Sequence, residues 1–228
     1  MCIKIFRGAD PELPRADVNI VIDVIRAFTV AHYAFIRGVR GIFLARTVES
    51  AMQYKAENPG YILAGEIRGL PIDGFELDNS PVRLLKAELD GKYLIQKTTN
   101  GVAAALHARG ADHVLVTGFS NARKTAEYAR KLTAENQGTI NIIASHPSGD
   151  DDLACAEFMR EIILGTSPEA EITAARIKNS AAAQKFVDDA CPEFDPADII
   201  ICTQEEPSDF VMKVSYDRRI PMIERVVL

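Results

Sequence analysis

Short apolar runs alternate with helix-like stretches along almost all of this 228-residue chain. That alternation is the pattern of an α/β protein, whose central strands are buried on both faces and covered by helices. Runs at 18–22, 42–45, 61–64, 93–96, 113–117 and 139–144 have the length and residue types of strands. Helical stretches are predicted at 29–37, 48–57, from Pro81, at 101–108, 118–134 and 150–164. Gly38 and Asn58-Pro59-Gly60 supply stop signals, and Ser80-Pro81 reads as an N-cap followed by a first helical proline. The last third predicts a polar, alanine-rich helix at 169–189 and a strand at 198–202, then a short helix at 209–216 and a strand at 221–227. The expected fold is a three-layer α/β/α arrangement around a mixed, largely parallel sheet. It forms one domain over 1–228, or two intimately packed subdomains.

A net charge of -6 and a pI near 5.3 argue against a general nucleic-acid binder, yet leave room for a local basic pocket. No apolar run approaches the ~20 residues that a membrane span needs. The first six residues read as a strand rather than a signal peptide. Cys2, Cys155, Cys191 and Cys202 are scattered without C-x-x-C spacing, as expected for reduced thiols in a cytoplasmic protein. A homodimer is the default quaternary expectation.

Three polar loops carry the functional signal. They are Asp23-Val24-Ile25-Arg26, Gly65-Glu66 leading into Gly74-Phe75-Glu76-Leu77-Asp78-Asn79-Ser80-Pro81, and Thr98-Thr99-Asn100-Gly101. Each follows a predicted strand, where loops of an open α/β sheet bind ligands. Asp23 and Glu66 offer hard oxygen ligands of the kind Mg²⁺ takes, and Arg26 and Arg68 offer cations for an oxyanion. Thr98, Thr99 and Asn100 present hydroxyls, an amide and a helix start to an anion. Each also has an ordinary reading as an N-cap, a surface ion pair or a solvated loop residue. The same two readings apply to Ser120-Asn121 and to the acidic helix start Asp150-Asp151-Asp152, and His146 follows the strand predicted at 139–144. The long segment 68–80 is itself suggestive, since ordered loops of that length are usually functional.

Several motifs are missing. There is no G-x-x-x-x-G-K-[ST] loop, no G-x-G-x-x-G and no G-x-S-x-G elbow. No cysteine precedes an arginine at the spacing of a cysteine phosphatase, and the D-x-D of Asp150-Asp151-Asp152 lacks the later threonine of aspartyl-phosphate enzymes.

Taken jointly, the segments resemble the 2-phosphosulfolactate phosphatase (ComB) family. The matching stretches are Val21-Ile22-Asp23-Val24-Ile25-Arg26-Ala27, Gly65-Glu66, 74–81, Thr98-Thr99-Asn100-Gly101, Ser120-Asn121-Ala122 and the acidic start before Ala154-Cys155-Ala156, in family order. The resemblance implies a cytoplasmic Mg²⁺-dependent phosphatase that converts 2-phosphosulfolactate to sulfolactate and phosphate, on the path to coenzyme M. It implies metal ligands at Asp23, Glu66, Asp151 and Asp152. Catalytic contacts would come from Arg26, Asn79, Thr99 and Asn100, and substrate contacts from Arg26, Arg68, Thr98, Thr99, Asn100, Ser120 and Asn121. A metal-activated water is the implied nucleophile.

The chain departs from the family pattern at Phe28, Glu76, Asp78 and Glu157, and 178–206 has no recognisable counterpart to the family's Ser-x-x-His-like segment. Phe28 and Asp78 are expected near the pocket, where the added carboxylate would disfavour a doubly anionic substrate. Two other readings therefore stand beside the family one: a phosphatase for a different phospho-carboxylic acid, and a non-catalytic anion-binding homologue.

Overall fold

The computed structural model describes residues 1–9, 12–135 and 138–228. The chain opens with β1 (Cys2–Arg7), β2 (Ala16–Ile22), α1 (Ala27–Ile36), β3 (Gly41–Leu44) and α2 (Val48–Glu57). Next come β4 (Ile62–Ile67), β5 (Leu70–Pro71), α3 (Pro81–Leu84), β6 (Tyr93–Lys97), α4 (Gly101–His107) and β7 (Ala111–Thr117). It continues with α5 (Ala122–Thr133), β8 (Thr139–Ala144), α6 (Asp150–Leu164), α7 (Ala170–Lys178) and α8 (Ala181–Gln184). The last elements are α9 (Pro196–Cys202), β9 (Phe210–Ser215) and β10 (Met222–Val227).

The strands join one sheet in the order β1-β8-β2-β7-β9-β10-β3-β6-β4-β5, with helices on both faces. This is the expected three-layer α/β/α architecture. β1, β8, β2 and β7 form one parallel block, and β3, β6 and β4 form another. The antiparallel pair β9–β10 joins them, so the second block runs opposite to the first. In a flat sheet the carboxyl ends of β2 and β6 would then lie at opposite edges. Twist of about 20–25° per neighbour, summed over the five steps from β2 to β6, swings the blocks by roughly 100° or more. Helix α1 fills the resulting hollow, with Ala27 through Phe35 all buried. The two carboxyl ends meet there: Gln96 of β6 donates to the Ala27 carbonyl across 2.9 Å.

Side chains divide between the faces with the strand period of two. Val21 packs towards α1 while Ile20 and Ile22 pack against α5 and α6, and Leu94 and Ile95 divide likewise between α1 and α2. Among the described residues, no helix is long and apolar enough to cross a membrane.

Three expected elements differ. The stretch 198–202 is a helix, not a strand, because the Asp195 side chain accepts from Ala197 N and Pro196 takes the first helical position. The stretch 209–216 is a strand, not a helix: Phe210, Met212 and Val214 enter one core and Val211 the other, between β7 and β10. The single helix at 169–189 breaks after Lys178, where Ser180 accepts from Ala183 N and starts the one-turn α8.

Candidate active site

A cavity of about 450 Å³ opens where the carboxyl ends of β2, β4 and β6 converge. Asp23, Arg26, Glu66, Arg68, Asn79, Thr99 and Asn100 all line it. The loop after β8 adds His146 and Asp150, and the segment after α7 adds Lys185, Phe186 and Phe194.

Asp23 is placed by the start of α1. Its Oδ1 accepts from Ala27 N at 2.9 Å, and its own N–H donates to the Thr117 carbonyl. A Cβ added at Gly101 would fall 2.6 Å from Asp23 Oδ2, so glycine lets the start of α4 approach the carboxylate. Burial pushes the Asp23 carboxyl up to about 7, and the charges of Glu66 and Asp151 push the same way. The Ala27 and Gly101 amides oppose the rise.

Glu66 ties two loops together. Its Oε1 accepts from Thr99 N, and its Oε2 accepts from Gly69 N and, at 3.0 Å, from Thr99 Oγ1. Arg68 N donates in turn to Thr99 Oγ1 at 2.8 Å, with Arg68 at φ 53 and Gly69 at φ 87. Asn79 is buried in the wall with its Oδ1 unpaired among the described residues. Thr98 turns inward instead, where its Oγ1 caps Val102 N at 3.0 Å.

The acidic start of α6 divides into three roles. Asp150 is held by Arg176 at 2.6 and 2.9 Å, which keeps its carboxyl below the usual range. Asp152 accepts from Val24 N at 2.8 Å and from His146 N and Ser145 Oγ at 3.1 Å each. Burial, then the charges of Asp151 and Asp23, push its carboxyl well above the carboxylate range. Asp151 is raised by burial too, and its Oδ1 has no hydrogen-bond partner among the described residues.

Arg26 lies in the cavity wall, buried, with Nη1 on Asp198 at 2.9 Å and Nη2 on the Gly69 carbonyl at 2.9 Å. The Ile25–Arg26 peptide bond is cis. Asp198 has no motif to announce it, and the sequence pattern puts it on a strand. Phe186, Phe194 and Lys185 come from the stretch 178–206, in which no family-like Ser-x-x-His segment is recognisable, so their place at the cavity is equally invisible in the sequence.

Two expected contacts lie elsewhere. Ser120 and Asn121 line a separate cavity of about 310 Å³. Ser120 Oγ is 2.9 Å from His32 Nδ1, while Asn121 accepts from Thr117 Oγ1 and donates to Thr125 Oγ1. The helix start after β7 thus faces away from the strand-end cavity. The departures at Phe28, Glu76, Asp78 and Glu157 are not part of the first cavity's wall, although Phe28 and Asp78 stand within two residues of its lining members Arg26 and Asn79. Phe28 is core, Glu76 pairs with Lys55, Asp78 with Arg83 and Glu157 with Arg176. Asp78, next to the cavity-lining Asn79, has its charge paired with Arg83.

No three His, Cys, Asp or Glu side chains form a ready-made metal cage among the described residues. Mg²⁺ does not need one, since it usually keeps several waters and takes one or two carboxylates plus phosphate oxygens. Asp23 and Asp151, buried within each other's field and with Asp151 Oδ1 unpaired, have the donor chemistry for such an ion. Glu66 and Asp152 already accept three hydrogen bonds each, which suits them to fixing the surrounding loops.

The fold and cavity define an α/β protein whose converging strand ends bring a buried arginine and polar loop residues beside a carboxylate cluster. A family model described as 2-phosphosulpholactate phosphatase matches residues 8–216. A protein of Bacillus subtilis (strain 168) named probable 2-phosphosulfolactate phosphatase is 55% identical over 232 residues, covering 100% of both chains. Another of that name, from Caldicellulosiruptor saccharolyticus, is 32% identical over 174 residues, 75% of this chain and 72% of its own. One from Thermus thermophilus is 37% identical over 148 residues, 64% and 62% of the two chains. The chain belongs to the 2-phosphosulfolactate phosphatase family.

Proposed function

We propose that the protein is a Mg²⁺-dependent phosphatase for a small phosphorylated acid, with 2-phosphosulfolactate as its substrate. The observation that carries this reading is one cavity lined by Arg26, Asn79, Thr99, Asn100 and the buried Asp23, with the charge of the buried Asp151 acting on Asp23 from behind that wall. The names of the relatives supply the substrate.

Arg26 and Thr99 bind and orient the phosphoryl group, and Asn100 contributes its amide. Asn79 Oδ1, buried and unpaired, accepts a hydrogen bond from the bound ligand or from a water beside it. Asp23 and Asp151 would hold the metal, which when bound supplies a Lewis acid for phosphate oxygens and lowers the pKa of a bound water. Glu66 keeps the loops after β4 and β6 in register, so that Thr99 and Arg68 stay on one wall. Arg68 and Lys185 line the same cavity without an ion-pair partner among the described residues, and they receive the second acid group of the substrate. The phenyl rings of Phe186 and Phe194 exclude water from that side.

The test is phosphate release from 2-phosphosulfolactate and from phospho-carboxylic acids of similar size, with Mg²⁺ and with a chelator. Release that needs Mg²⁺ and is fastest with the sulfonate is the expected result. Faster release from a phospho-carboxylate would move the substrate, and release unaffected by chelation would remove the metal.

A further inference from the structure

Arg26 is a cation with a site built around it. Its guanidinium carbon lies 5.0 Å from the Phe186 ring centre and 5.6 Å from that of Phe194. A guanidinium has five N–H donors. Asp198 takes one on Nη1 and the Gly69 carbonyl takes one on Nη2, which leaves the others for a ligand in the cavity that Arg26 lines.

Asp198 is as firmly held as its partner. It is fully buried in the first turn of α9, and its Oδ1 accepts from Ser80 Oγ at 2.6 Å and from Val82 N at 3.1 Å. Its Oδ2 is left to Arg26. Asp23 and Glu66 line the same cavity and are the carboxylates that would otherwise draw the guanidinium. A buried cation that loses its partner carries an uncompensated charge and moves towards another.

We propose that Asp198 is a positioning residue for phosphate binding: it holds Arg26 away from the carboxylate cluster, with the free guanidinium donors facing the cavity. Phe186 and Phe194 shield the pair from water and so keep it strong. The inference rests on the phosphatase reading and adds to it a residue that never touches substrate.

The test is a double-mutant cycle on the full chain, read by calorimetric binding of inorganic phosphate and, in parallel, by KM and kcat. In Asp198→Asn, one oxygen can still accept from Ser80 and Val82, but the charge facing Arg26 is lost. Phosphate affinity is expected to fall about tenfold or more in D198N, as for loss of a charge-assisted contact. In an R26A background D198N is expected to cost nothing further. A loss that persists undiminished in R26A would make Asp198 merely structural and overturn the proposal. Unchanged phosphate affinity in D198N, or no phosphate binding by the wild type, would overturn it as well.

Should D198N fail to fold, Phe186→Leu opens the pair to water and enters the same cycle. A loss that vanishes in R26A supports the proposal, and unchanged affinity overturns it. A wild type that shows the coupled phosphate binding but hydrolyses nothing would remove the phosphatase reading and still support the Arg26–Asp198 coupling.

Discussion

Asp23 and Asp152 are both buried carboxyls raised by burial and by neighbouring carboxylates, yet their surroundings differ. Asp152 is surrounded by donors, with two backbone N–H groups and a hydroxyl directed at it. Asp23 has its closest donor in Ala27 N, with the Gly101 amide and a long contact from Ser145 Oγ besides, and a face open to the cavity. Asp23→Asn is therefore expected to cut Mg²⁺-dependent phosphate release by orders of magnitude while the fold remains intact. Asp152→Asn can turn only one oxygen to the donors that Asp152 serves with two. It is expected to lower thermal stability, since an unpaired buried donor costs about 1–3 kcal/mol. Circular dichroism melts beside steady-state kinetics separate the two, and equal effects of the substitutions on both readouts would sink the assignment.

At the scale of elements, the site depends on how closely helix starts approach strand ends. Gly101→Ala is expected to reduce both stability and turnover, because its Cβ would meet Asp23 Oδ2 at 2.6 Å and Ala27 Cβ at 3.0 Å. A G101A protein with wild-type melting temperature and kcat would show that α4 can move freely. On the other side of the cavity, Lys185→Ala is expected to raise KM severalfold for a substrate with two acid groups and to leave a simple phosphate monoester unaffected. Competitive rates on the two substrates check this. Equal changes for both would place Lys185 outside the acid-recognition role.

These elements also show what a sequence can carry. Asp23, Glu66 and Thr98-Thr99-Asn100 stand at the ends of strands whose apolar runs are unambiguous, so their place at strand ends could be expected. The twist that brings the ends of two oppositely running blocks together leaves no mark in the sequence. After Asp198, Ile199-Ile200-Ile201-Cys202 is a continuous apolar run, and periodicity alone does not separate a buried strand from a short helix. Phe210–Ser215 buries residues on both faces between two strands, which blurs the alternation that marks a strand. Asp198 was hidden by the first of these ambiguities. The placement of Ser120-Asn121 was hidden differently: a strand-end helix start looks alike whichever way it turns, and only the packing of β7 against α1 shows that it faces His32.

For the whole molecule, the carboxylate cluster sets a conflict between folding and pH that a bound cation would relieve. Asp23 holds its proton up to about 7 in the folded protein, against an ordinary value of 3.8, and Asp151 and Asp152 shift in the same direction. A raised folded pKa gives stability that is fully present below about pH 4 and lost as pH rises through 7. His32 acts in the opposite sense: burial lowers it from 6.5 to about 4, so its contribution is present above 6.5 and lost as pH falls towards 4. Metal-free protein is thus eroded from both sides, and the Asp23 contribution is lost as pH rises through 7. On the proposed reading Mg²⁺ would compete with protons for these oxygens, so its stabilising effect would grow as the protons leave. The melting temperature in a chelator is expected to fall by several degrees between pH 6 and pH 8. Millimolar Mg²⁺ is expected to restore it at pH 8 and to change little at pH 5. Asp23→Asn removes one of the titrating charges, so its chelator curve is expected to be flatter and its response to Mg²⁺ smaller. A magnesium response independent of pH and unaltered in D23N would place the ion away from this cluster, whatever the activity of the loaded protein.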